Sequence, residues 1–140
     1  MPNGRALTAD EAAELQARLP LSLPEPLVKL LTEMPLVGVE FTLDAATDPS
    51  GLGVELRWMT PAEMVSEALD VYPGLVAVPL GFLPVGICLG GSGDPYFVRV
   101  RDLALVRIPH DAARGGHLDE SSEEPVAASV EEFLAHALAS

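Results

Sequence analysis

Apolar residues recur at helical spacing near both ends of the chain and at strand spacing through its middle. Close to the C-terminus, Val130, Phe133, Leu134, Ala137 and Leu138 fall at i, i+3, i+4, i+7 and i+8, one face of a helix. Glu131, Glu132 and Ala135 take the other side, with His136 near its edge. Three stretches place a hydroxyl three residues before a glutamate: Thr8-Ala9-Asp10-Glu11, Thr60-Pro61-Ala62-Glu63 and Ser129-Val130-Glu131-Glu132. That spacing is a capping box, in which the two side chains satisfy backbone N–H groups that the first helical turn leaves unpaired. Pro61 adds a preset φ at the first helical position. The pattern predicts helices near 9–18, 61–70 and 130–138, with a short one near 25–33 opened by Pro24 and Pro26.

The middle of the chain reads as strands. Segments 37–43 and 53–58 are β-rich and flank DAATDPSG, a run of turn-forming residues. Segments 75–80 and 84–89 are apolar and bounded by Pro and Gly, which predicts two buried strands. Segment 96–101 alternates, with Val98 and Val100 on one side and Phe97, Arg99 and Arg101 on the other. A short turn at Arg101-Asp102 leads to a last strand over 103–108. Strand runs with helices at the ends predict an α+β fold: one domain over 1–140, with a largely antiparallel central sheet covered on one face by helices. Residues 109–125, PHDAARGGHLDESSEEP, form the one long polar connection, and a loop of that length in a small domain is functional or mobile.

Charge changes the picture most. Twenty-one acidic residues face eight basic ones, a formal net charge of −13. Nucleic-acid binding needs a basic footprint, so it is not expected; anionic membrane surfaces are disfavoured for the same reason. A basic protein partner is favoured, because opposite fields steer encounter. The stretch from Val71 to Gly93 carries no charge and is long enough to span a bilayer. Pro73, Pro79 and Pro84 with six interspersed glycines break it as a helix, so strands and turns are expected there instead. The first residues, MPNGRALTADEAAEL, have no apolar core of a secretory signal, which predicts a cytoplasmic address.

Few residue groups offer chemistry. GGSGDPYF at 90–97 lacks the lysine and following helix of a phosphate loop, and Asp94 repels phosphate. It also misses the spacing and the helix of a serine nucleophile elbow at Ser92. One carboxylate and one hydroxyl do not make a calcium site. The glycines instead suit a hairpin turn that Asp94 can cap. Within 110–120, His110, Asp111, His117, Asp119 and Glu120 form the best metal candidate, but the seven-residue His spacing fits no common zinc pattern. A solvated acidic loop is the expectation. Cys88, the sole cysteine, lies in apolar GICLG and reads as a buried, inert thiol. Trp58 reads as core. No metal, cofactor or catalytic residue is therefore assigned.

The order of WMTPAEM at 58–64, an apolar strand pair, GSGDPYFVRV at 91–100 and VAASVEEFL at 126–134 resembles the SUKH superfamily of bacterial immunity proteins and fungal cell-wall-assembly regulators. Leu19-Pro20 and Leu23-Pro24 match its LP elements, and the likeness covers roughly 15–138. The chain departs from the family in having MPLVG at 34–38, where many members carry an Asn-Gly-Gly-like turn, and in a longer 109–125 loop. The resemblance implies a SUKH-like single domain that is not an enzyme and that neutralises a toxin by occlusion. A basic, nuclease-like toxin fits the acidity of this chain. The candidate contact residues are Asp119, Glu120, Glu123 and Glu124 in the loop, with Asp94 and Tyr96 at the turn. Two other readings are a regulatory or scaffold module of signalling or envelope machinery, and a metal-dependent hydrolase using the histidines of 110–120.

Overall fold

The computed structural model describes residues 4–44, 53–90, 93–114 and 116–139. Helices α1 (Ala9–Arg18) and α2 (Glu25–Glu33) precede strands β1 (Glu40–Leu43) and β2 (Val54–Trp58). Helices α3 (Pro61–Leu69) and α4 (Gly74–Ala77) lead into β3 (Phe82–Cys88), β4 (Tyr96–Arg99) and β5 (Ala104–Arg107). A small hairpin, β6 (Ala113–Arg114) with β7 (His117–Leu118), comes before β8 (Glu124–Ala127), α5 (Val130–His136) and β9 (Leu138–Ala139). The main sheet runs β8-β5-β4-β3-β2-β1-β9 with every pairing antiparallel, so the fold is α+β.

The helix starts follow from the capping residues. Thr8 and Thr60 each accept a hydrogen bond from the backbone N–H three residues on, and Glu11 and Glu63 reach back to the cap. Ser129 Oγ accepts from Glu132 N. At α1 a guanidinium strengthens the device: Arg5 Nη1 and Nη2 lie 2.7 and 3.0 Å from the two oxygens of Glu11. The Arg5 bond, then the Thr8 backbone N–H, lower the Glu11 pKa to about 2. A depressed carboxyl pKa means the folded state favours the carboxylate. Its stabilising contribution is complete above the ordinary carboxylate range and is lost as pH falls through about 2. In an NMR pH titration, Glu11 should titrate well below the ordinary carboxylate range, and Arg5→Ala should return it towards that range.

One face of the sheet carries the main core. Phe41, Leu56, Trp58, Leu83, Val98 and Leu105 point into it from the strands, and Leu15, Leu27 and Leu31 meet them from α1 and α2. Helix α5 closes the core, with the Phe133 ring edge-on to Phe41 at 5.7 Å. The strand alternation sends Phe82, Phe97 and Val106 to the opposite face, where Ala77 of α4, Ala112 and Leu118 cover them. The 110–118 segment is therefore a second, smaller layer on the sheet.

Two expectations need correction. Segment 75–80 is not a strand: Gly74–Ala77 is helical and Val78–Leu80 is a 3-10 turn. A short apolar run has no period that separates strand from buried helix, so the decision is tertiary. Gly74 sits against the end of α3 so closely that a Cβ there would lie 1.8 Å from the Glu67 carbonyl oxygen. The polar connection is also shorter than 109–125, because Glu124–Ala127 adds an edge strand to β5. Pro125 is compatible with that role, since an edge strand need not donate on its open side. The DAATDPSG loop and the Ser92 tip of the glycine turn lie outside the described residues. Among the described residues, no helix is long and apolar enough to cross a membrane.

Candidate functional site

Antiparallel pairing gathers six strand ends at one end of the sheet. The register pairs Leu43 with Val54, Leu56 with Cys88, Gly86 with Tyr96, Tyr96 with Arg107 and Arg107 with Glu124. A cleft of about 840 Å³ opens over these ends. Its floor depends on Gly86, where a Cβ would stand 3.0 Å from that of Tyr96 and 3.3 Å from that of Leu56. The missing side chain leaves room for the buried Tyr96 and Leu56 side chains on either side.

Arg107 is the buried charge of this end, 3% exposed. Its Nε donates to Glu124 Oε1 at 2.8 Å, and its Nη1 donates to Tyr96 Oη at 2.9 Å and Gly53 O at 3.1 Å. The guanidinium carbon also lies 5.5 Å from the Tyr96 ring centroid. Burial opposes the charge, but the bonds to Glu124 and Tyr96 outweigh it and raise the Arg107 pKa. The floor is thus a neutralised ion pair. Around it stand Asp44, Glu55 and Asp94, so among the described residues four carboxylates including Glu124 meet one guanidinium in the lining. Glu55 and Asp44 are exposed. Such a cleft repels anions and attracts cationic groups.

A second cavity of about 250 Å³ adjoins the first and shares Cys88 with it. Met59, Val71, Tyr72 and Ile87 supply apolar walls, and Glu67 and His110 supply polar ones. His110 N donates to Asp94 Oδ1 at 3.0 Å, and His110 Nδ1 lies 2.7 Å from the same oxygen. Asp94 therefore ties the glycine turn to the start of the 110–118 layer. Burial raises the Glu67 pKa, partly offset by His110 across the cavity.

The structure scatters the residues that the sequence singled out. Asp94, Tyr96 and Glu124 meet at the large cleft, but Tyr96 is 1% exposed and supports the floor instead of offering surface. Glu124 is tied to Arg107, and Glu123 pairs with Arg99. The acidic loop is thus partly neutralised by sheet arginines and is not wholly solvated. Asp119 accepts from Ser121 N, Ser121 Oγ and Ser122 Oγ, which hold its carboxyl below the usual range. The Glu120 side chain lies outside the described residues. His110 turns to Asp94 while Asp111, His117 and Asp119 line a separate hollow. Among the described residues, no group of three or more His, Cys, Asp or Glu is placed to hold a metal ion. Cys88 is half-buried, since β3 ends there, and it shares a cavity with His110, a neighbour that sequence distance concealed. Sequence reasoning also missed Asp44, Glu55, Glu67 and Arg107. Of these, Arg107 carried a signal, a cation inside the apolar run ALVRIP.

No family model matches the chain, and no curated protein matches it.

Proposed function

We propose that this protein is a non-catalytic, immunity-type inhibitor that binds a basic toxin domain by contact and covers its working surface. The observation that carries the reading is the acidic cleft, where Asp44, Glu55 and Asp94 surround an arginine already neutralised by Glu124. A nuclease-like domain presents cationic side chains to hold phosphates, and those groups fit a carboxylate-lined cleft. The net charge of −13 extends the attraction beyond contact range and speeds encounter. The order of the WMTPAEM, GSGDPYFVRV and VAASVEEFL segments supports the same class, and a cytoplasmic address goes with it.

The contact surface under this reading is the cleft rim more than the 119–124 loop, because Glu123 and Glu124 are engaged within the fold. The test is affinity purification from source cells with the wild type and with the Asp44→Lys/Glu55→Lys pair. One stoichiometric, basic partner is expected with the wild type. Reversal of the two exposed charges should slow its association by about tenfold or more at low salt, with a smaller salt dependence. An acidic partner, or a basic one whose association ignores the reversal, overturns the assignment.

A further inference from the structure

The smaller cavity has the features of a specific pocket. Glu67 is half-buried on α3, in a wall of this cavity, and His110 across the cavity is the charged neighbour its carboxyl feels. Across from it stands His110, already engaged with Asp94. Val71 and Tyr72, at the mouth, are 41% and 48% exposed, and Leu89 nearby in the chain is 39% exposed. An apolar wall beside a poorly solvated carboxylate suits an aliphatic stem ending in a positive charge. The stem covers exposed carbon, and the charge supplies the carboxylate with a partner that burial otherwise denies it. An anionic group is repelled by Glu67, and a neutral donor gains a hydrogen bond without the charge pairing that a cation adds.

Resting on the reading above, we propose that this cavity is a second anchor for the same basic partner: it receives a lysine or arginine side chain, the cationic head on Glu67 and the stem on Tyr72, Val71 and Ile87. The two cavities meet at Cys88 and are joined by the Asp94–His110 bond, so one basic surface can fill both. The large cleft then provides long-range attraction and the small one provides fixed register.

The probe is N-acetyl-lysine methylamide, titrated into the full chain at physiological salt and followed by amide NMR shifts. N-acetyl-norleucine methylamide, with the same stem and no charge, is the comparison. Saturable shifts confined to the end of α3, residues 71–72 and residues 87–89 are expected with the lysine probe alone. Glu67→Gln should weaken binding by about fivefold or more, the loss of one charged contact. Glu33→Gln, at an exposed acid of α2 that lines neither cavity, should leave it unchanged. Glu67→Gln should melt no lower than the wild type, because burial disfavours the carboxylate it removes. The wild type gives an independent readout: saturating probe should move the Glu67 carboxyl titration to lower pH, since the probe binds the ionised form. Equal shifts with norleucine, shifts centred on the large cleft, or a Glu67 titration blind to the probe would overturn the second anchor. Those results leave the large cleft standing, whereas the charge reversal of Asp44 and Glu55 tests that cleft alone.

Discussion

Trp58→Ala should lower unfolding stability by about 3–5 kcal/mol, while Trp58→Phe should cost only about 1–2 kcal/mol, both measured by urea unfolding. Trp58 is fully buried and is, among the described residues, the largest side chain enclosed in the main core. Its backbone is held to the 38–39 segment by two bonds, Trp58 N donating to Val39 O and Gly38 N donating to Trp58 O, each at 3.0 Å. Truncation therefore leaves a cavity that the neighbouring strands cannot collapse to fill. The indole Nε1 adds a second point: it is buried and has no acceptor among the described residues. Phenylalanine keeps most of the ring and removes a donor that gains nothing from folding. A domain of this size is stable by about 5–15 kcal/mol, so the alanine variant should lose a large share of that margin. If phenylalanine proves as costly as alanine, the N–H has a partner and the loss is a lost hydrogen bond.

The contrast between Trp58 and the cleft residues explains what could be read in the sequence. Helices α1, α2, α3 and α5 were legible because their start signals are local: Thr8 with Glu11, Thr60 with Glu63, Ser129 with Glu132, and the prolines before Leu27. Strands β1 and β2 were legible because alternation records which face is buried, and β3 to β5, covered on both faces, because they are short apolar runs between turns. Strand β8 was not, since Glu124-Pro125 looks like loop until Arg107, on the neighbouring strand, supplies the charge that Glu124 meets. Helix α4 was misread because Gly74 packs on the Glu67 carbonyl, a contact that no period reports. The site followed the same division. Asp94 and Glu124 stood out by composition, whereas Glu67 and Glu55 looked like any exposed acid until the strand ends came together.

Arg107→Met should cost about 2–4 kcal/mol, and Arg107→Lys should recover little of it. The methionine keeps the apolar stem but leaves the buried Tyr96 hydroxyl, the Gly53 carbonyl and the Glu124 carboxylate without their shared donor. Glu124 is 31% exposed and can turn to water, which keeps the loss below that of a fully enclosed pair. A lysine carries one compact ammonium and cannot reach three acceptors spread around a planar fork. The functional consequence runs the other way from stability. With the guanidinium gone, the described residues of the cleft keep the same carboxylates and no cation, so a basic partner should associate faster with Arg107→Met than with the wild type at low salt. Urea unfolding and association kinetics on the same variant separate the two roles. A variant that is both less stable and slower to associate would place Arg107 in the contact itself; a destabilised but faster one assigns it to holding the floor, with the exposed rim carboxylates of Asp44 and Glu55 meeting the partner.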